Sequence, residues 1–212
     1  MSKEQWMVLI IVLLTIVSIV IPNAMRKKYQ DQFVKLFSQQ KFDELEQLLN
    51  KKSVRYFFMP FNLEYIRLNM AFIKGDEKAI DKQFEVFDKI SMNTKQKEDL
   101  FVKEFNYYIM MEDYDKAQKP YEAIQNLKNE QIKKAANITY DIFVKKGHQY
   151  LEEIENGYEE CPEQAKGYNA YLISLMYENK GDKENSEKYR LIAKEKLEQL
   201  PEKEKQNEET SA

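Results

Sequence analysis

Two patterns of apolar spacing divide the chain. From Trp6 to Ile21 the sequence reads WMVLIIVLLTIVSIVI, apolar all round. From Phe33 onward, apolar residues recur instead at three- and four-residue steps, as in Phe42, Leu45, Leu48 and Leu49, or Ile80, Phe84, Phe87 and Ile90. That spacing predicts amphipathic helices. The same period runs through Phe33, Leu36 and Phe37; Leu63, Ile66, Met70 and Ile73; Phe101, Phe105, Tyr108 and Met111; and Ala117, Tyr121, Ile124 and Leu127. No period-two strand with a hairpin signal interrupts it. Pro60 and Pro162 suit the first turn of a helix. Pro120 predicts a helix that begins late or kinks.

The first pattern predicts a membrane span. The uncharged stretch between Glu4 and Arg26 is 21 residues long. As a helix it would be ~31 Å, close to the ~30 Å of bilayer hydrocarbon. Its only hydroxyls, Thr15 and Ser18, can bond to the helix backbone, and Trp6 suits the membrane interface. A cleaved signal has a shorter apolar core of roughly 7–15 residues. Ala24 could end a cleavage site, but Pro22 would stand two residues before it. We therefore read residues 6–25 as a retained single-pass anchor after a short tail, 1–5. Lys3 precedes it, while Arg26, Lys27, Lys28 and Lys35 follow. This asymmetry predicts a cell-membrane protein whose main domain is cytoplasmic. Large domains can be exported whatever their flanking charge, so an outward-facing domain is the alternative.

The turns repeat. QQKFDEL centres on Lys41, IKGDEKAI on Gly75, MMEDYDKA on Glu112, KKGHQYL on Gly147 and NKGDKENS on Gly181, in steps of 34, 37, 35 and 34 residues. Each separates two predicted helices of roughly 12–18 residues, within the usual length for globular helices. A helix-turn-helix unit of about 34 residues predicts a stacked all-α solenoid. Glycine in such a turn commonly takes positive φ.

MMEDYDKAQKPY and YLISLMYENKGDKENSEKYRLIA resemble tetratricopeptide repeats. In the last copy Ile173, Ser174 and Tyr177 occupy the leucine, small and tyrosine positions. Gly181 and Asp182 make the turn, and Ser186 and Ala193 fill the small positions of the second helix. In the third copy Asp113, Tyr114 and Ala117 keep the turn and a small residue. The resemblance covers residues 28–200 as five degenerate units. The family's tryptophan is absent, the second unit is one residue short between its turn and Ala79, and the first and fourth units keep little beyond the period. The resemblance implies a right-handed solenoid that binds a protein or peptide along a concave face lined by first helices. Aligning the units by their turns places Asn62, Tyr65 and Asn69 on that face, then Val102, Asn106 and Met110, then Lys134, Asn137 and Asp141, then Tyr168, Tyr171 and Leu175. Asparagine can bond both groups of an extended peptide backbone, and tyrosine offers contact area at low entropy cost.

Composition narrows the function. With 33 Lys and Arg against 36 Asp and Glu, the net charge is −3, which gives no strong field for nucleic acid. One cysteine, Cys161, excludes an intramolecular disulfide and favours a reducing compartment. One histidine, His148, lies in a predicted turn. Neither type forms a metal cluster, and no Gly-rich phosphate loop occurs. The carboxylates Glu152, Glu153, Glu155, Glu159 and Glu160 read as a solvated face. Asn137-Ile138-Thr139 matches a glycosylation triplet inside a predicted helix, a chance match in a cytoplasmic domain. Residues 201–212, PEKEKQNEETSA, read as a disordered tail. The expectation is a non-enzymatic membrane-anchored scaffold with no cofactor, metal or catalytic residue. The alternatives are an extracytoplasmic chaperone or assembly factor, and an enzyme with a carboxylate site.

Overall fold

The apolar stripes fold as helices. In this computed structural model, which describes residues 20–198, eleven α-helices and no strand occur among the described residues. They are α1 (Ile21–Ser38), α2 (Phe42–Leu49), α3 (Lys52–Phe57), α4 (Pro60–Lys74), α5 (Glu77–Phe87), α6 (Thr94–Met110), α7 (Tyr114–Gln125), α8 (Glu130–Phe143), α9 (Leu151–Asn156), α10 (Glu163–Lys180) and α11 (Lys183–Glu198). The chain divides into two compact units between Met92 and Asn93.

Most of the predicted anchor, residues 6–19, lies outside the described residues, as do residues 1–5 and 201–212. Among the described residues no helix is long and apolar enough to cross a membrane. Residues 21–25 run without a break into the helix that carries Arg26, Lys27 and Lys28. A boundary between anchor and domain at 25–28 therefore falls inside α1. Pro22 lies near the start of the described part of α1, where its fixed φ suits a helix.

Five non-helical turns place a residue at positive φ: Gln40 at 52°, Gly75 at 62°, Glu112 at 55°, Lys146 at 52° and Gly181 at 84°. Their spacings are 35, 37, 34 and 35 residues. Four share one hydrogen-bond pattern. The next residue donates its N–H to the carbonyl five positions back: Lys41 to Leu36 at 2.9 Å, Asp76 to Ala71 at 3.1 Å, Asp113 to Tyr108 at 2.9 Å and Asp182 to Tyr177 at 2.9 Å. This bond satisfies a carbonyl that the helix end would leave open. The aspartate then opens the following helix. The Asp76, Asp113 and Asp182 side chains accept from the backbone N–H of Ala79, Lys116 and Asn185. One dipeptide thus ends one helix and caps the next.

The fourth turn differs. Lys146, not Gly147, is left-handed, and the Gly147 N–H reaches six residues back to the Asp141 carbonyl at 2.8 Å. Gly147 is needed for space: a Cβ there would lie 2.4 Å from Asp141 Oδ1. Asn179 of α10 braces this turn, donating to the carbonyls of Ile142 and Gly147. The wide turn and Gly157 confine α9 to six residues, well short of the predicted length.

In the first unit, α1 to α4 share a core of Tyr29, Phe33, Phe42, Leu45, Leu49, Val54 and Leu63. The short helix α3, which the repeat pattern did not anticipate, contributes Val54. Phe61 of α4 packs on Phe87 of α5 with ring centroids 5.4 Å apart. In the second unit, a capping box between Asn93 and Gln96 starts α6. Pro120 lies buried inside α7 rather than at its start. The core that α8 to α11 share contains Ile142, Leu151, Ile173, Met176, Tyr189 and Ala193. Ser174 and Ser186, the small positions of α10 and α11, are buried with Ala193. Ile73 and Met111, the last members of their stripes, are exposed at helix ends.

Candidate partner-binding faces

Asn62, Tyr65 and Asn69 lie along α4 at helical spacing. Asn62 is exposed, while Tyr65 and Asn69 are half-buried. The Tyr65 ring stacks on Phe61 at 5.5 Å and meets the edge of Phe87 at 6.5 Å, so much of it serves packing in the first unit. Beside this stripe Arg67 gathers a polar network that the sequence pattern did not reveal. Its guanidinium binds Glu46 of α2 at 3.0 Å, Glu64 at 2.6 Å and Asn50 at 3.2 Å. Gln83 of α5 donates to the second oxygen of Glu64 at 2.8 Å. The planar donor fork of arginine suits such multiple pairing. The network joins α2, α4 and α5.

In the second unit, Val102, Asn106 and Met110 recur every four residues on α6. Val102 and Asn106 are half-buried, and Met110 is 58% exposed. On α8 the three predicted residues do different things. Lys134 is exposed and paired with Glu153. Asn137 is half-buried and accepts the Tyr121 hydroxyl at 3.0 Å. Asp141 is 5% exposed, and its carboxylate accepts the Gln149 N–H at 3.2 Å. It holds the 144–150 turn and presents no open surface, because the turn of this unit folds back over the end of α8. On α10, Tyr168 and Tyr171 are exposed one turn apart, and Leu175 packs against the core.

Two aromatic clusters border these faces. Tyr121 of α7 stacks on Tyr140 of α8 with centroids 4.0 Å apart and planes 14° from parallel. The Tyr140 hydroxyl donates to Gln118 at 2.6 Å. Burial, and then the neighbouring Tyr140 and Tyr150, push the Tyr121 phenol above its usual range. The second cluster centres on Glu155 of α9. Tyr177 donates to it at 2.9 Å and Tyr189 at 2.7 Å, with the two rings stacked at 5.8 Å. Burial, then the bond to Glu155, pushes Tyr177 up to about 12. The same causes push Tyr189 up as well.

Tyr177 and Tyr189 therefore keep their protons at neutral pH and remain donors to Glu155. The Glu155 cluster is built as a donor–acceptor clamp that fastens the short α9 to α10 and α11. The pattern of acidic residues read as a solvated face, and Glu152, Glu153, Glu159 and Glu160 are exposed, but Glu155 is half-buried and bonded. Its signal was its position: i, i+4 from Leu151, on the apolar side of a short helix. His148 is exposed in its turn, and Cys161 is a free, half-buried thiol before Pro162, which caps α10. Among the described residues no group of three or more His, Cys, Asp or Glu is placed to hold a metal.

Compared with known proteins, the chain matches no family model, no curated protein and no solved structure.

Proposed function

We propose that this chain is a membrane-anchored, non-enzymatic interaction protein. Its helices form tetratricopeptide-like units of a right-handed α-solenoid, and these hold a protein or peptide partner at the cytoplasmic membrane surface. The observation that carries the reading is the recurring turn. Five left-handed turns fall 34–37 residues apart, and four of them close with the same backbone bond. A repeated local geometry in an all-helical chain is what stacked helix pairs require. The anchor reading rests on the uncharged stretch before Arg26.

The mechanism is tethering. Fixing the domain to the membrane raises the local concentration of a partner that also works there, and the helix faces select it. In the second unit the α6 stripe offers Val102, Asn106 and Met110, and α10 offers the exposed rings of Tyr168 and Tyr171. Tyrosine and methionine give contact area that adapts to a partner at modest entropy cost.

Site-specific photocrosslinking in intact cells tests this. A photoreactive residue replacing Met110 or Tyr168 should capture one discrete protein in the membrane fraction. The same residue at Lys188, exposed on α11, should capture far less. Equal capture at all three positions, or none at any, would overturn the assignment of the face.

A further inference from the structure

The first unit carries an exposed apolar pair in an unusual setting. Tyr56 is 82% exposed and Met59 is 68% exposed, although Phe57 and Phe58 between them pack inward. Single exposed apolar residues are ordinary. What distinguishes this pair is where the chain is pinned. Arg26 of α1 donates through Nε to the Phe57 carbonyl at 3.1 Å. The Phe57 ring lies 6.2 Å from Tyr29, and Phe58 lies 5.1 Å from Phe33. The Tyr29 hydroxyl donates to Ser53 Oγ at 2.9 Å. The end of α3 and its link to α4 are thus held against the first turns of α1.

That level is set by the helix. Arg26 follows Ile21, the last residue of the apolar run, by five residues, a rise of ~7.5 Å along α1. The polar interface of a bilayer adds about 5–8 Å beyond the hydrocarbon on each side. Charge points the same way. Residues 22–30 contain Arg26, Lys27 and Lys28, and residues 50–59 contain Lys51, Lys52 and Arg55; neither segment contains a carboxylate. Tyrosine suits the headgroup level, and basic segments beside a span are drawn to anionic lipid.

We propose that Tyr56 and Met59, with Lys52 and Arg55, form a second membrane contact that docks on anionic lipid headgroups beside the span. The proposal rests on the anchor reading above. It adds that the first unit lies against the bilayer in a fixed orientation, with Tyr56 and Met59 at the headgroups and the far end of α4 in water.

The test uses the full chain carrying Cys161→Ser, reconstituted in lipid nanodiscs. An environment-sensitive fluorophore is attached at Met59→Cys or, as control, at Ile73→Cys, which lies at the other end of α4. In discs containing phosphatidylglycerol, the probe at 59 should brighten several-fold and shift to the blue, while the probe at 73 stays aqueous. Discs of phosphatidylcholine alone, or Lys52→Gln with Arg55→Gln, should weaken the signal at 59. If the chain enters the discs and the probe at 59 stays as aqueous as that at 73, the docking proposal is overturned and the anchor stands. A signal at 59 that ignores both lipid charge and the two substitutions overturns the headgroup assignment. A chain that stays out of the discs overturns the anchor and the docking proposal together.

Discussion

Tyr189 on α11 donates its hydroxyl to the Glu155 carboxylate on α9, 2.7 Å away, and Tyr177 on α10 binds the same carboxylate. Three helices of the second unit therefore meet at one acid. Glu155→Ala should destabilise this unit by about 2–3 kcal/mol, since hydrogen bonds to a charged group are worth ~1.5–3 kcal/mol and two phenols lose their acceptor. Glu155→Gln, which keeps an acceptor, should cost less. Chemical denaturation of the three proteins checks the order.

The same cluster predicts an alkaline weakness. In the unfolded chain tyrosine titrates near about 10. In the folded chain Tyr177 is pushed up to about 12, and Tyr189 also rises. Above pH ~10 the unfolded state releases protons that the folded state still holds, so stability falls as pH rises toward the folded value. Below pH ~10 this contribution is fully present. The melting temperature should drop between pH 10 and 12, and Tyr177→Phe should reduce the drop. A Tyr177→Phe protein with an unchanged alkaline slope would contradict the assignment.

Two turns closed by the same backbone bond predict opposite signs. Gly181 sits at φ 84°, so Gly181→Val should lower stability by about 1 kcal/mol or more. Glu112 holds the equivalent place at φ 55° with a side chain, so Glu112→Gly should raise stability by about 0.5 kcal/mol once the extra freedom of glycine in the unfolded chain is offset. Thermal melts of both variants decide the matter.

Gly167 of α10 faces Leu197 of α11 closely. A Cβ at 167 would lie 2.9 Å from two Leu197 side-chain carbons and 3.3 Å from its backbone nitrogen. Leu197 Cγ sits close to its own backbone and has little room to give, so Gly167→Ala should cost about 1–2 kcal/mol. Adding Leu197→Ala should recover part of that loss, so the double variant should be less destabilised than the sum of the single ones in a double-mutant cycle.

The helices and the spacing of their turns were legible because apolar periodicity and the Gly-Asp and Glu-Asp turns are written in consecutive residues. The left-handed places of Gln40 and Lys146 were not, because nothing in the composition marks a non-glycine residue for positive φ. Residue spacing placed the fourth turn on Gly147, one position past the left-handed residue, since glycine there answers the nearby Asp141 carboxylate rather than a backbone need. Helix α3 and the shortness of α9 escaped because six-residue helices carry too little period to read. Of the predicted face residues, exposed Tyr168, Tyr171 and Met110 follow from helical phase alone. The burial of Asp141 and the bond from Tyr121 to Asn137 depend on contacts between helices, which a single stripe does not encode.

We propose that this chain works by holding a partner and not by chemistry. A direct measurement compares three proteins in cells, crosslinked and recovered from the membrane fraction: the natural chain, Met110→Ala with Tyr171→Ala, and His148→Ala with Cys161→Ser. The first pair is exposed on the second unit, so its fold should survive, which circular dichroism of the purified variant would check. This pair should lower partner recovery several-fold, while the His148 and Cys161 pair should leave recovery and cellular function unchanged. Full recovery with the first pair, together with loss of function from the second, would contradict it.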